Sequence, residues 1–166
     1  QRYGSEIALV GWFYPSRAEV INALREFHLG IWGRGWTNSA ARAVLNGTGR
    51  SIIRGRCFVS DERAATIYNA TAIGLNIHHD QSREAGLNTR TFELLAAGAF
   101  ELVDAVPGME EFLVPGEEVV TYTSAQEARE LARYYLRRPR ERTRIVERGR
   151  ARVLREHTYD HRMQAL

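Results

Sequence analysis

Asn88, Thr89, Arg90 and Glu93 lie within about one helical turn of each other, behind a polar loop that ends in Gly86 and Leu87. Their types suit an anion held beside a diol. Asparagine is a preferred N-cap, so a helix starting after Asn88 would leave its first-turn amides without intrahelical partners at the positive end of the helix dipole. Such a turn receives anions, and a diphosphate fits it. Arg90 opposes the dipole there unless an anion compensates, and its planar fork matches phosphate oxygens. Glu93, one turn further on, can accept two hydrogen bonds from a vicinal diol such as a ribose. The plainer reading is a surface ion pair at i, i+3, worth roughly a few tenths of a kcal/mol. On chemistry alone that plainer reading has the better claim.

Other chemistries find less support. His78, His79 and Asp80 are consecutive, but neighbouring strand residues point to opposite faces, so a shared metal would need a bent loop. His157 and His161 share a helical spacing of four, yet residue 158 is threonine, and the glutamate of an HExxH zinc site is missing. No metal site is therefore expected. His78 or His79 reads better as a partner of a bound ligand, and His157 and His161 as packing for a terminal helix. No G-x-S-x-G elbow gives Ser60 or Ser82 a nucleophilic context. The segment HLGIWGRGW (28–36) lacks the GxGxxG spacing of a dinucleotide site, which disfavours a nicotinamide enzyme.

Composition closes further routes. All 23 basic residues are arginine, so Schiff-base and P-loop lysine chemistry are excluded. The net charge is +3, and eleven arginines fall between Arg129 and Arg155. Glutamates are interspersed among them and no aromatic stacking pattern accompanies them, so a solvated helical face is expected rather than a nucleic-acid surface. Cys57 is the single cysteine, expected to be a small buried hydrophobe without disulfide or thiolate cluster. No run is apolar for long enough to cross a bilayer, and no signal-peptide pattern is present, which makes a cytoplasmic protein the expectation. At 166 residues and 44% hydrophobic, the chain can bury one core, so residues 1–166 are expected to form a single domain.

The elements that must position these residues alternate along the chain. Glu6 to Phe13 reads as a strand ending near Gly11, Tyr14 to Arg17 as a turn through Pro15, and Ala18 to Phe27 as a helix. His28 to Trp36 gives a strand and a glycine-rich turn, and Asn38 or Ser39 caps a helix through Leu45, closed by Gly47 and Gly49. The basic stretch 51–58 resists assignment. Ser60 caps a helix to Asn69, and Ala72 to Ile77 is a strand buried on both faces. The helix from Thr89 to Gly98 is expected to turn Phe92, Leu95, Ala96 and Ala99 to the sheet. Phe100 to Val106 returns as a strand, Met109 to Leu113 forms one helical turn, and Glu118 to Tyr122 is the last strand. Ser124 and Glu127 match a capping box for a helix through Leu136, with Leu131, Tyr134 and Tyr135 facing inward. After Pro139 a further helix runs to Leu154. This alternation implies an α/β fold, a Rossmann-like parallel sheet with helices on both faces, with ligands bound beyond the strands' carboxyl ends.

Four blocks, IGLNIHHD, GLNTRTFELLAAGAF, PGMEEFLVPGEEVVTY and EHTYDHRM, occur in order over most of residues 56–163. Together they resemble the donor-binding, C-terminal half of B-type glycosyltransferases, and most of all the CgeB-like (glycosyl transferases group 1) family. The resemblance implies metal-independent transfer of a sugar from a nucleoside diphosphate sugar, with UDP or GDP as the carrier, to an acceptor hydroxyl on a glycan or small molecule. It implies no resident cofactor, and an N-terminal acceptor-binding half that holds any catalytic base. The chain would then be a fragment of a longer protein, able to bind nucleotide but turning over poorly alone. By the same resemblance Gly11 and Trp12 face the phosphates, Phe58 and Val59 border the nucleobase, and Asn76 and His78 face the sugar. Gly86, Leu87, Asn88, Thr89 and Arg90 hold the diphosphate, and Glu93 the ribose. Many relatives carry two glutamates with seven residues between them; here Glu84 and Glu93 have eight between them, which leaves the sugar contact and the stereochemical outcome open. The competing readings are a nucleotide-sugar epimerase and a non-catalytic interaction module.

Overall fold

The computed structural model describes residues 4–45, 52–79, 86–158 and 161. Along the chain run β1 (Ser5–Val10), α1 (Ala18–Ala23), β2 (Leu29–Trp32), α2 (Ser39–Val44), β3 (Ile53–Gly55), α3 (Asp61–Asn69) and β4 (Thr71–Asn76). These are followed by α4 (Thr89–Ala96), β5 (Glu101–Asp104), β6 (Val120–Tyr122), α5 (Ala125–Leu136) and α6 (Pro139–Glu156). The six strands pair in parallel in the order β3-β2-β1-β4-β5-β6. Strand order reverses between β1 and β4, and in open α/β sheets the crevice at that reversal takes the ligand.

Side chains alternate across β1 and divide the core. Ile7 and Leu9 join Ile73, Leu75, Val20, Ile21, Ala128 and Ala132 on one face. Ala8 and Val10 join Trp32, Ala64, Ile67, Tyr68 and Leu94 on the other. A strand whose alternate residues are both buried is covered on both sides, the condition under which a parallel sheet is stable. The long helix α6 contributes Ile145 to the first face and Val153 to a third cluster with Phe92, Leu95, Val103 and Met109, so it buttresses α4.

Four helix starts follow local chemistry. Asn38, Ser60, Asn88 and Ser124 each accept a backbone N–H three residues on, satisfying a first-turn donor. At Ser124 the box is shifted by one residue, because Glu127 accepts from the backbone and hydroxyl of Thr123 instead of from Ser124 itself. Gly98 closes α4 with φ of 76°, a left-handed turn that glycine adopts without penalty.

Several expectations need correction. Cys57 is exposed, since it precedes the partly exposed approach to α3 and is not within an element. On α4 Thr91 and Leu94 are sealed against the sheet as well, and Phe92 and Leu95 pack at once on Val103 of β5 and on Val153 of α6. The helix lies between a sheet and a second helix, so it has two buried flanks. Tyr134 points outward at 41% exposure with the Arg138 guanidinium 3.6 Å above its ring, and small Ala128 and Ala132 make the close contact instead. The first helix stops at Ala23, four residues short of Phe27. Residues 51–58 contain the short edge strand β3. Gly47, Gly49, Asp80, Ser82, Glu84 and the end of the EHTYDHRM block lie outside the described residues, apart from His161.

Candidate functional site

A cavity of about 240 Å³ opens at the carboxyl ends of β1 and β4, lined by Gly11, Trp12, Tyr14, Arg17, His79 and the 88–90 turn. Its position is the one the strand reversal dictates. Trp12 stands 51% exposed at the mouth. The Tyr14 and His79 rings meet edge-to-face, 4.1 Å between centroids.

The sequence places Arg17 in the turn after β1, and the structure makes it a cation at the base of this cavity. Its guanidinium donates to the carbonyls of Trp12 (2.6 Å) and Ile77 (2.8 Å), tying the ends of β1 and β4 together, and lies 5.1 Å from the centre of the Tyr14 ring. Nε is buried and has no hydrogen-bond partner among the described residues. Burial pulls the guanidinium below its usual value, with Tyr14, Tyr68 and Asp104 working against that effect. A Cβ at position 11 would stand 2.6 Å from an Arg17 guanidinium nitrogen, so any larger residue there would displace that side chain. The sequence signal was available: an arginine beside the apolar start of a helix, six residues beyond a strand-ending glycine.

At the mouth of α4, Asn88 Oδ1 accepts from the Thr91 amide (3.1 Å). Asn88 and Asn76 also clasp each other, Asn76 Nδ2 to Asn88 Oδ1 at 3.0 Å and Asn88 Nδ2 to Asn76 Oδ1 at 3.1 Å. Asn76 Nδ2 lies within reach of Thr91 Oγ1 (3.1 Å) and Glu101 Oε1 (2.8 Å) as well. Of the two residues expected to face a sugar, Asn76 lines the cavity, 2% exposed and held by its hydrogen bonds to Asn88 and Glu101, while His78 is 0% exposed and serves the layer beneath it. An amide and an imidazole carried into a buried layer need partners there, and β5 supplies two acids, Glu101 and Asp104. Burial pushes the Glu101 carboxyl up to about 8, against the hydrogen bonds of Asn76 and Thr91. These acids were overlooked in the run AFELVDAV, although a carboxylate in a strand buried on both faces always requires a partner.

Arg90 and Glu93 do form the i, i+3 pair, at 2.7 Å, with side chains 26% and 38% exposed. Arg90 borders the polar cavity, while Glu93 borders a second, almost wholly apolar one of about 250 Å³ shared with Phe92, Ala96, Val153, Leu154 and His157. Thr89 borders both. Burial raises the Glu93 carboxyl, Arg90 lowers it, and Asp61 at the start of α3 raises it further. Phe58, just before that helix, is 67% exposed, and Val59 is buried at 8%. Gly86 has φ of 93° and Leu87 is partly buried. His157 packs on Phe92 and Phe112 and reaches the Phe112 carbonyl at 3.0 Å, while His161 is exposed. Among the described residues, no three His, Cys, Asp or Glu side chains gather as a metal site, and no helix is long and apolar enough to cross a membrane.

A family profile described as glycosyl transferase-like matches residues 17–166. The spore protein CgeB of Bacillus subtilis (strain 168) is 25% identical, over 84% of this chain and 46% of its own, so the chain spans about half of that relative's length. Among solved structures, the C-terminal domain of the glycosyl transferase group 1 family protein LpcC from Francisella tularensis superposes with a TM-score of 0.70 at 14% identity, over 94% of this chain and 88% of that one. HepE of Anabaena, in complex with UDP and glucose, gives 0.74 at 10% identity, over 98% and 47%. At these identities the structural likeness is one of fold.

Proposed function

Since the chain belongs to the glycosyl transferase-like family, we propose that it is the donor-binding domain of a glycosyltransferase, holding a nucleoside diphosphate sugar for metal-independent transfer to an acceptor hydroxyl. The observation that carries this reading is the mouth of α4. Thr89 and Arg90 of its first turn line, together with Arg17, the cavity at the carboxyl ends of β1 and β4.

Transfer leaves negative charge on the departing diphosphate, and preorganised donors stabilise that charge without rearranging. The Thr89 and Arg90 amides, the Arg90 guanidinium and Arg17 supply it. In the free chain Arg90 is spent on Glu93. A bound diphosphate draws the guanidinium into the cavity and releases the Glu93 carboxylate to accept the two ribose hydroxyls. Asp61 is near enough to act on Glu93, which supports a nucleobase site beside the start of α3, with Phe58 and Val59. UDP and GDP are the first carriers to test, and the UDP complex of HepE supports that choice. The acceptor and any catalytic base belong to the other half of the protein, so this chain alone binds nucleotide with little turnover.

A thermal-shift panel of UDP, GDP, TDP and ADP tests the reading. A ligand at about 100 times its dissociation constant stabilises by roughly 2.7 kcal/mol, readily seen as a higher Tm. One diphosphate raises Tm in the wild type and fails to do so in Glu93→Ala. No shift with any of the four favours an interaction module. An isomerised sugar formed without acceptor favours an epimerase.

A further inference from the structure

We infer that His78 is a positioning residue, set by Asp104, that fixes which amides of the α4 mouth face the bound anion. The inference deepens the donor-site reading and rests on it for its functional arm.

The imidazole is 0% exposed, so it cannot touch a ligand in the cavity. Asp104 Oδ1, at the end of β5, lies 2.8 Å from the His78 backbone nitrogen and 2.9 Å from Nδ1. On the other side the Asn88 backbone N–H is aimed at Nε2, 3.2 Å away. A backbone N–H only donates, so Nε2 must carry its lone pair, and the proton of the neutral ring sits on Nδ1, where Asp104 accepts it. The tautomer is thereby specified from both ends. One ring bonds the ends of β4 and β5 to the residue that caps α4.

The selection of donors follows. The Asn88 amide is taken by His78, and the Thr91 amide by the Asn88 side chain at 3.1 Å. The first two helical residues, Thr89 and Arg90, keep amides with no intrahelical partner, and these face the anion. Without the Nε2 acceptor the Asn88 amide is orphaned below the cavity, and the turn rotates to satisfy it.

Two measurements on the intact chain test this. Long-range proton–nitrogen NMR of the wild type should show His78 protonated on Nδ1 and bare on Nε2, and hydrogen exchange should find the Asn88 amide slower than those of Thr89 and Arg90. A protonated Nε2, or an Asn88 amide exchanging as fast as its neighbours, overturns the inference. For function, His78→Leu should weaken UDP or GDP binding by about tenfold, the consequence of one unsatisfied buried donor. His78→Gln, whose side-chain oxygen reaches near the Nε2 position, should recover most of the loss, which filling the space alone would not do. A folded leucine variant binding as tightly as wild type also overturns it. If the leucine variant does not fold, or if the wild type binds no nucleotide, the tautomer and exchange measurements still decide. Absence of binding then counts against the donor reading alone.

Discussion

Glu101→Gln is expected to make the chain more stable at alkaline pH and to leave it nearly unchanged in mild acid. The carboxyl sits at the start of β5 with no exposure, and burial raises it from an ordinary 4.5 to about 8. Between those values the folded state holds a proton that the unfolded chain has released. Stability therefore falls as pH rises through that window, by about 1.4 kcal/mol per pH unit, and levels off above the folded value. Across the window the loss is on the order of 4 to 5 kcal/mol, a large share of the roughly 5 to 15 kcal/mol that holds a domain together. Glutamine keeps an oxygen to accept the Asn76 amide, now 2.8 Å from Glu101 Oε1, and cannot ionise. Urea denaturation of both proteins at several pH values isolates the effect, because every other titration cancels in the difference. That difference should be close to zero near about pH 5 and grow to several kcal/mol by about pH 9. A difference that does not change with pH refutes the assignment of a neutral, buried Glu101.

Leu94→Ala should destabilise by about 2 to 5 kcal/mol in the same denaturation assay, since a fully buried leucine leaves a cavity between α4 and the sheet. A loss below about 1 kcal/mol would show that α4 does not seal that face. Gly98→Ala should cost about 1 to 2 kcal/mol through backbone strain alone, because φ is 76° and a Cβ would meet only the Arg150 side chain, at 3.6 Å. An unchanged Tm would contradict the left-handed turn.

The order of strands and helices was legible because each signal is local. Asn38, Ser60, Asn88 and Ser124 announce helix starts by their own side-chain chemistry, and Pro139 separates α5 from α6 by its missing N–H. The capped start of α4 was legible for the same reason, being a property of one helix end. What escaped is long-range. Arg17 matters through the Ile77 carbonyl, sixty residues away, and no spacing within its own turn reveals that partner. His78 and Asn76 sit on a strand whose ends approach the cavity. Whether such side chains enter it or support it from below depends on Asp104 and Glu101 of the neighbouring strand. The buried face of α4 is wider than the stripe Phe92, Leu95 and Ala99, because a single periodic stripe cannot describe a helix packed against both a sheet and another helix. β3 is three residues long at the sheet edge, too short to leave a pattern.

A nucleoside diphosphate soaked into crystals of this chain tests the central claim most directly. The expected structure has a phosphoryl group on the Thr89 and Arg90 amides, the 2.7 Å Arg90–Glu93 contact opened, and the Glu93 carboxylate accepting both ribose hydroxyls. A nucleotide bound away from the α4 mouth, or one bound there with Glu93 still held by Arg90 and no contact to the ribose, would contradict the account.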